Sequence, residues 1–248
     1  MDELSCDDFL GGRVRIWQPK KGYRAGVDPV WLAASVPAKA GQRVLELGCG
    51  AGTASLCLAA RVPGVQLTGV ELQPGYAELA RRNAAENGAQ MQVFTADLTA
   101  LPAELRDAQF DHVIANPPYF KRSDGSAAQD AGRDVALAGE TPLTQWVEVA
   151  ARRCKPKGYV TFIQRIERLP ELMSAMQARL GSLELVPFLP RQGRAPQLFL
   201  LRGRNGGRAD FRLHPGVVVH DGVAHNGDGE DYSQLISSVL RNGAALPF

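Results

Sequence analysis

The sequence has no apolar stretch close to the roughly 18 uninterrupted residues that a membrane-spanning helix requires. Residues 1–8 are acidic and polar, whereas a secretory signal peptide is basic and then apolar. These two absences predict a cytoplasmic protein without a membrane partner. Apolar residues still make up 45% of the 248 positions, which excludes wholesale disorder. The length suits one α/β domain with additions, or at most two small domains.

Cysteine and histidine are both scarce. The four cysteines contain no CxxC spacing, and the four histidines contain no HExxH or HxH spacing. Disulfide frameworks and zinc sites depend on such spacings, so the sequence predicts neither. We therefore expect a protein of a reducing compartment that holds no metal.

Short apolar runs alternate with stretches of helical period over residues 43–163. Apolar strands that alternate with helices favour a mostly parallel sheet covered by helices on both faces. Two further β-like runs, at 183–189 and 197–201, are joined by a short loop that contains Pro and Gly. Because the loop leaves no room for a helix, we expect these runs to pair antiparallel at one sheet edge.

Two regions depart from this alternation. Residues 121–140 are polar and rich in Gly and Ala, so we expect a mobile loop that orders over the substrate. Residues 205–248 are rich in Gly and polar residues and contain a predicted helix at 232–240. The predicted organisation is an N-terminal extension packing on the core at 1–40, a core domain at 41–204 and a C-terminal tail at 205–248.

A glycine turn, Gly48-Cys49-Gly50-Ala51-Gly52, follows the first core strand and precedes a helix. Glycine is needed where the backbone turns tightly and a ligand comes close to it. Glycines also simply end strands, but the position between a strand and a helix favours a nucleotide-like ligand. A dinucleotide fingerprint has its third glycine at the sixth position, which is Thr53 here, and no GK[ST] ending is present. These departures disfavour NAD or FAD binding and phosphoryl transfer.

Two carboxylates follow the next two strands. Glu71 ends the second core strand, and Asp97 follows the third. Open α/β sheets bind ligands at the carboxyl ends of their strands, so Glu71 is placed either to accept bonds from both hydroxyls of a ribose or to lie at a solvated strand end. Asp97 is placed either to accept a bond from an adenine amino group or to cap the helix after it.

The NPPY motif, Asn116-Pro117-Pro118-Tyr119, directly follows the fourth core strand. Its two prolines fix φ and remove two N–H donors, so nearby carbonyls and the Asn116 side-chain oxygen can accept bonds from a substrate NH₂ group. Tyr119 adds a flat face on which a planar group can stack. Asn-Pro also starts ordinary turns, but its place downstream of the glycine turn and both carboxylates favours a catalytic site.

These motifs resemble those of the class I S-adenosylmethionine-dependent methyltransferases that modify amino groups on planar systems. The matching residues are the glycine turn, Glu71, Asp97 and the NPPY motif. Upstream, Gln18 to Arg24, Asp28 and Trp31-Leu32-Ala33 resemble the N-terminal signature of bacterial tRNA adenine-N6 methyltransferases, which modify the adenosine beside the anticodon of valine tRNA.

The resemblance, which spans about residues 13–207, implies a Rossmann-like, seven-stranded sheet and a methyltransferase domain at 41–204. It implies N6-methylation of an adenine in RNA, with the adenosine 3′ of the anticodon in a tRNA as the expected target. S-adenosylmethionine is the implied cofactor. Its implied binding residues are Gly48, Gly50, Gly52, Glu71, Asp97, Asn116 and, at the methionine end, Asp28. For Asp28 a helix cap is the open alternative. The implied catalytic residues are Asn116, Pro117 and Tyr119.

Three alternatives stay open. Protein glutamine N5-methyltransferases that act on release factors share the core motifs, although they usually carry a longer helical domain before the glycine turn. A nicotinamide oxidoreductase is the alternative from another enzyme class. A non-catalytic RNA-binding domain is the alternative without chemistry.

Basic residues are unevenly distributed, although their total of 28 nearly balances the 26 acidic residues. Residues 10–27 contain no acidic side chain, and residues 186–212 contain only Asp210. Such clusters are typical of surfaces that contact phosphates, the alternative being a solvated charged face. We expect both clusters to flank the mouth of the site. The candidate RNA contacts are Lys20, Lys21, Arg24, Arg202, Arg204 and Arg208.

Overall fold

The computed structural model of the chain describes residues 3–119, 141–222, 224 and 230–248. Its strands are β1 (Leu4–Phe9), β2 (Val14–Pro19), β3 (Arg43–Leu47), β4 (Gln66–Glu71), β5 (Met91–Thr95), β6 (Phe110–Ala115), β7 (Cys154–Arg165), β8 (Gly181–Leu189), β9 (Leu198–Arg204), β10 (Arg212–Leu213) and β11 (Val217–Val218). Its helices are α1 (Asp28–Ser35), α2 (Thr53–Arg61), α3 (Pro74–Glu86), α4 (Ala103–Arg106), α5 (Leu143–Arg153), α6 (Leu169–Gln177) and α7 (Gln234–Asn242). The loop expected at 121–140 lies outside the described residues.

A nine-stranded sheet forms the centre of the fold, in the order β10-β8-β9-β7-β6-β3-β4-β5, with β11 also paired to β8. The four neighbouring pairs within β3 to β7 are β5-β4, β4-β3, β3-β6 and β6-β7, and all of them are parallel. Strand β9 runs antiparallel to both β7 and β8, which confirms the hairpin expected near the sheet edge. Strands β3 to β9 are thus the predicted Rossmann-like sheet, and the two-residue strands β10 and β11 extend it beyond β8.

Side-chain alternation along β3 explains why helices cover both faces of the sheet. Val44 lies in one buried cluster with residues of α1, α2 and α7, while Leu45 and Leu47 lie in a second cluster with residues of α5 and α6. Successive side chains of a strand point to opposite faces, so an apolar strand needs cover on both sides.

Proline and glycine mark the helix ends that the sequence predicts. Helix α3 begins at Pro74, and Gly88 follows its end with a φ of +62°, the left-handed conformation that terminates helices. The tail helix predicted at 232–240 is also present, at Gln234–Asn242.

A separate hairpin of β1 and β2 is attached to α3 by two asparagine side chains one helical turn apart. Asn83 accepts a bond from Trp17 N at 2.9 Å and donates to Trp17 O at 3.1 Å and to Ala51 O at 2.9 Å. Asn87 accepts from Arg15 N at 3.0 Å and donates to Arg15 O at 2.7 Å. The two amides therefore take the place of a neighbouring strand for β2 and tie it to the glycine turn.

No helix in the described ranges is long and apolar enough to span a membrane. The division into segments 1–40, 41–204 and 205–248 stays a prediction. Contacts cross both expected boundaries, since β2 packs on α3 and α7 packs on α1.

Candidate active site

The predicted ligand-binding features meet at one edge of the sheet. Strands β6, β3, β4 and β5 are consecutive neighbours and parallel, so their carboxyl ends share an edge. Gly48, Glu71, Asp97 and Asn116 each end or follow one of these strands. From β3 the chain proceeds to β4 and β5 on one side and then crosses to β6 on the other. This reversal of strand order creates the crevice where open α/β sheets bind ligands.

The glycine turn requires its glycines for backbone reasons. Gly48, Gly50 and Gly52 have φ values of +65°, +52° and +86°, a region that side chains disfavour. A Cβ atom at Gly48 would also lie 2.6 Å from Cη2 of Trp146. Because it has no side chain at Gly48, the turn can pack closely against the Trp146 ring. A backbone that binds a ligand needs the same close approach.

The Glu71 carboxylate is held in place by two backbone donors. Gly50 N donates to its Oε2 and Gln73 N to its Oε1, both at 2.9 Å. Burial raises the pKa of Glu71, and these N–H groups oppose the rise by stabilising the charge. Each carboxylate oxygen keeps acceptor capacity for a further donor, so the group is oriented before any ligand arrives.

Glu46 is a second buried carboxylate of this region, and the sequence reasoning missed it. It lies in β3, two residues before Gly48, is 3% exposed, and accepts bonds from Ser55 N at 3.0 Å and Ser55 Oγ at 2.5 Å. Burial raises the pKa of Glu46 to about 7, against the lowering effect of Ser55. The available signal was a carboxylate among the apolar residues of 44–47, directly before the glycine turn.

Asp97 caps a short helical turn, one of the two roles left open for it. Its Oδ1 accepts from Thr99 N and from Thr99 Oγ1, both at 2.8 Å. Leu72, directly after Glu71, is 57% exposed at the same edge. Leu72 is not among the residues predicted from the sequence. Its apolar surface, beside the ribose-binding candidate Glu71, offers a face to a planar ring.

The NPPY motif is supported by three residues from distant parts of the chain. The Tyr119 hydroxyl donates to Oδ2 of Asp28. The Arg165 guanidinium lies 5.6 Å from the centre of the Tyr119 ring. The buried Gln164 side chain donates from Nε2 to the Pro117 carbonyl oxygen at 3.2 Å. Asn116 is half-buried, and within the described part of the chain its side chain has no hydrogen-bond partner.

Tyr23 places the N-terminal signature against the glycine turn. Its ring would lie 3.7 Å from a Cβ atom on Gly50, and its carbonyl accepts from the Tyr76 hydroxyl at 3.0 Å. Burial, followed by the charge of Asp28 and of Glu46, raises the pKa of the Tyr23 phenol. Tyr23 is among the predicted residues only as part of that signature. Among the residues that are described, no group of three or more His, Cys, Asp or Glu side chains could hold a metal ion.

The candidate contacts in the two basic clusters lie at opposite edges of the sheet, so the expectation that both flank the mouth is wrong for Arg204 and Arg208. Lys20, Lys21 and Arg24 lie in the segment beside Tyr23, at the edge that carries the glycine turn. They are exposed; Lys20 pairs with Glu3, and Arg24 with Asp7.

The second cluster begins in the loop 190–197 at the carboxyl edge of the parallel core and then follows β9 to the other edge, because β9 runs antiparallel to β7. Its end at Arg204 pairs with Tyr159, near the amino end of the parallel core. Arg208 lies just beyond that end and is exposed. Arg202 has only 9% of its side chain exposed, pairs with Glu184 at 3.2 Å and lies 4.0 Å from the Phe248 ring centre. Arg202 is therefore a packed residue and does not present a charge to an RNA surface.

The fold and this edge together define a class I methyltransferase. A family model described as the methyltransferase small domain matches residues 28–184. A Porphyromonas gingivalis protein named tRNA1(Val) (adenine(37)-N6)-methyltransferase is 33% identical over 215 residues, or 81% of this chain and 82% of that protein. A Haemophilus influenzae protein of the same name is 28% identical over 237 residues, or 94% of this chain and 97% of that protein.

Among solved structures, an Agrobacterium tumefaciens protein described as a predicted O-methyltransferase has a TM-score of 0.70 and 26% identity, covering 88% of this chain and 98% of that one. The chain belongs to the methyltransferase small domain family and, by its relatives, to the family of the tRNA1(Val) (adenine(37)-N6)-methyltransferases. This confirms the resemblance that the sequence motifs indicate.

Proposed function

We propose that this protein transfers a methyl group from S-adenosylmethionine to N6 of an adenine in RNA, namely adenosine 37 of a valine tRNA. The observation that carries the proposal is the position of the NPPY motif. It follows β6, directly across the crevice from the glycine turn that follows β3. A methyl donor held at the turn and an amine held at the motif would then meet. The names of the relatives support the substrate.

The residues at the turn fit S-adenosylmethionine. The oriented Glu71 carboxylate suits the two ribose hydroxyls, the exposed face of Leu72 suits the adenine ring, and Asp97 keeps its second oxygen for the adenine amino group. Tyr23 and Asp28 close the other end of the same crevice. When bound, the cofactor supplies an activated methyl group on a sulfonium sulfur, so the reaction needs no covalent enzyme intermediate.

The acceptor amine is a poor nucleophile, because its lone pair is delocalised into the adenine ring. The Asn116 side-chain oxygen and the Pro117 carbonyl accept from its two hydrogens. These bonds favour the pyramidal nitrogen and stabilise the positive charge that grows there. The Tyr119 ring stacks on the base and fixes its direction of attack. Alignment of this kind supplies about 7–11 kcal/mol in favourable intramolecular reactions, more than any single hydrogen bond. The proton then leaves to water.

An anticodon-loop adenosine suits this site, since a loop base is splayed out at lower cost than a paired one. We propose that Lys20, Lys21 and Arg24 contact the RNA backbone, because they lie at the same edge as the NPPY motif. The cytoplasm, where tRNA occurs, is the proposed compartment.

The test is methyl transfer from labelled S-adenosylmethionine to a valine tRNA transcript, to the same transcript with guanosine at position 37, and to a purified release factor. We expect label only in the first RNA, recovered as N6-methyladenosine after nuclease digestion. Label in the release factor would establish the glutamine alternative, and label on a ribose hydroxyl would establish O-methylation. If calorimetry detects NAD(H) binding and no S-adenosylmethionine binding, the methyltransferase assignment fails.

A further inference from the structure

Gln164 has a fully buried side-chain amide, and both its nitrogen and its oxygen make hydrogen bonds. It lies next to the end of β7, is 0% exposed, and donates from Nε2 to the Pro117 carbonyl at 3.2 Å. Its Oε1 accepts from Arg165 N at 2.8 Å. One side chain therefore joins the end of β7 to the NPPY motif, which follows the adjacent strand β6.

An amide at this position is not explained by packing. Phe162 and Ile163, just before it in β7, are also 0% exposed. Burying an amide costs free energy, and its hydrogen bonds offset that cost without adding much stability. A buried leucine would therefore stabilise the core at least as well. The side chain does have to donate to a carbonyl and accept from a backbone N–H at once, and glutamine does both.

The carbonyl that Gln164 holds needs such a partner. Pro118 follows Pro117, so the next residue has no N–H that could bind elsewhere and fix the peptide plane. A carbonyl oxygen has two lone pairs, and the Gln164 amide occupies one of them. The second lone pair stays available to a hydrogen of the acceptor amine, with its direction set by the first bond.

We propose that Gln164 is a positioning residue that aims the Pro117 carbonyl at the acceptor amine. The inference rests on the proposed function, because it assumes that an amine is the acceptor. A misplacement of about 1 Å in an aligned site costs up to about 10² in rate. Gln164→Leu should therefore lower kcat by about 10- to 100-fold while KM for RNA and the Kd for S-adenosylmethionine stay within twofold.

Gln164→Glu gives the inference a pH signature. An ionised carboxylate cannot donate to Pro117, whereas a protonated carboxyl group donates through O–H and still accepts from Arg165 N. The rate of this variant, divided by the wild-type rate at each pH, should rise as the pH falls from 8.5 to 5.5. The same ratio for Gln164→Leu should stay flat. Phe162→Leu, a buried change in the same strand, is the control for altered packing and should stay within twofold of wild type.

Infrared spectra of protein labelled with ¹³C at the proline carbonyls test the bond without any substrate. Gln164→Leu should shift one proline carbonyl band to higher frequency, and acidification should reverse the shift in Gln164→Glu only. An unchanged band, or equal pH profiles for the two variants, would overturn the inference whichever substrate is methylated. A loss confined to cofactor or RNA affinity would overturn it as well. If the band shifts as expected but the acceptor is not an amine, the proposed function fails and the aiming role fails with it.

Discussion

The hydroxyl group of Tyr119 donates a hydrogen bond to the carboxylate of Asp28, across 91 positions of sequence. Asp28 opens α1, and Tyr119 ends the NPPY motif. Burial raises the pKa of Asp28, while Tyr119 and Arg165 favour its charged form. The bond joins the N-terminal signature to the residue proposed to stack on the substrate base. It therefore links two motifs whose connection the sequence does not reveal. Contact of Asp28 with the methionine end of the cofactor stays a prediction.

The first prediction concerns this bond. Hydrogen bonds to charged groups contribute about 1.5–3 kcal/mol, so Tyr119→Phe and Asp28→Ala should couple by about that amount in a double-mutant cycle. The measurement is the free energy of unfolding in urea for the wild type, both single variants and the double variant. Effects that add within about 0.5 kcal/mol would show that the bond contributes nothing in solution.

The second prediction separates chemistry from cofactor binding. Asn116→Ala removes a contact that strengthens as charge develops, so single-turnover methylation should slow by about 10²–10³ with cofactor affinity nearly unchanged. Glu71→Ala should instead weaken cofactor binding. Calorimetry and single-turnover assays on both variants check the split. A wild-type rate for Asn116→Ala would remove Asn116 from the mechanism, and an unchanged affinity for Glu71→Ala would mean that the cofactor lies elsewhere.

The third prediction concerns Glu46 and pH. Its pKa is about 7 in the folded protein, against an ordinary value of 4.5 in the unfolded chain. Between these values the folded state binds more protons, so its stability falls as the pH rises from 4.5 to 7. Glu46→Gln keeps the acceptor for Ser55 and removes the charge. It should therefore be more stable than the wild type at pH 8, by up to about 3 kcal/mol, and equally stable at pH 4.5. A stability difference that does not change with pH would contradict the raised pKa.

The fourth prediction concerns the attachment of the hairpin. Asn83→Ala would leave the buried carbonyl of Ala51 and the partly buried backbone groups of Trp17 without their partner, at a cost of about 1–3 kcal/mol. Because Ala51 belongs to the glycine turn, cofactor affinity should fall as well. Asn87→Ala is the matched control, since it removes equivalent bonds to Arg15 that are exposed and touch no part of the turn. Equal losses of cofactor affinity in the two variants would refute the link to the turn.

Local signals in the sequence were sufficient for the core and insufficient for the parts that depend on tertiary contacts. The start of α2 and both ends of α3 follow from Gly52, Pro74 and Gly88, whose backbone preferences act on neighbouring residues only. Strand β1 has a polar sequence with no clear period, and its partner β2 gets its outer bonds from Asn83 and Asn87. No local sequence pattern predicts that an asparagine side chain will bond to the free edge of a strand, where a neighbouring strand would otherwise bond.

The position of the second basic cluster was missed for a different reason. The sequence does predict an antiparallel hairpin, and a hairpin reverses the chain. Residues after its second strand must then lie at the amino edge of the parallel core, which is where Arg204 and Arg208 are found. The expectation was wrong for Arg204 and Arg208 because it placed the whole cluster at the strand ends that form the mouth and did not follow the chain along β9.

The last prediction tests the RNA surface by comparing basic residues at the mouth with basic residues at the opposite edge of the sheet. Each phosphate that a basic side chain neutralises on a single strand adds about −0.7 to the slope of log K against log salt, because counterions are released. Lys20→Gln with Lys21→Gln should weaken binding of the valine tRNA and flatten the slope by about 0.7 for each phosphate that is no longer neutralised. Arg204→Gln with Arg208→Gln removes the same charge from the far edge and should leave the slope unchanged. Filter binding over a salt series, with S-adenosylmethionine affinity measured beside it, compares the two double variants directly. If the far-edge pair flattens the slope as much as the near-edge pair, the tRNA wraps beyond the mouth and the single-edge surface is rejected.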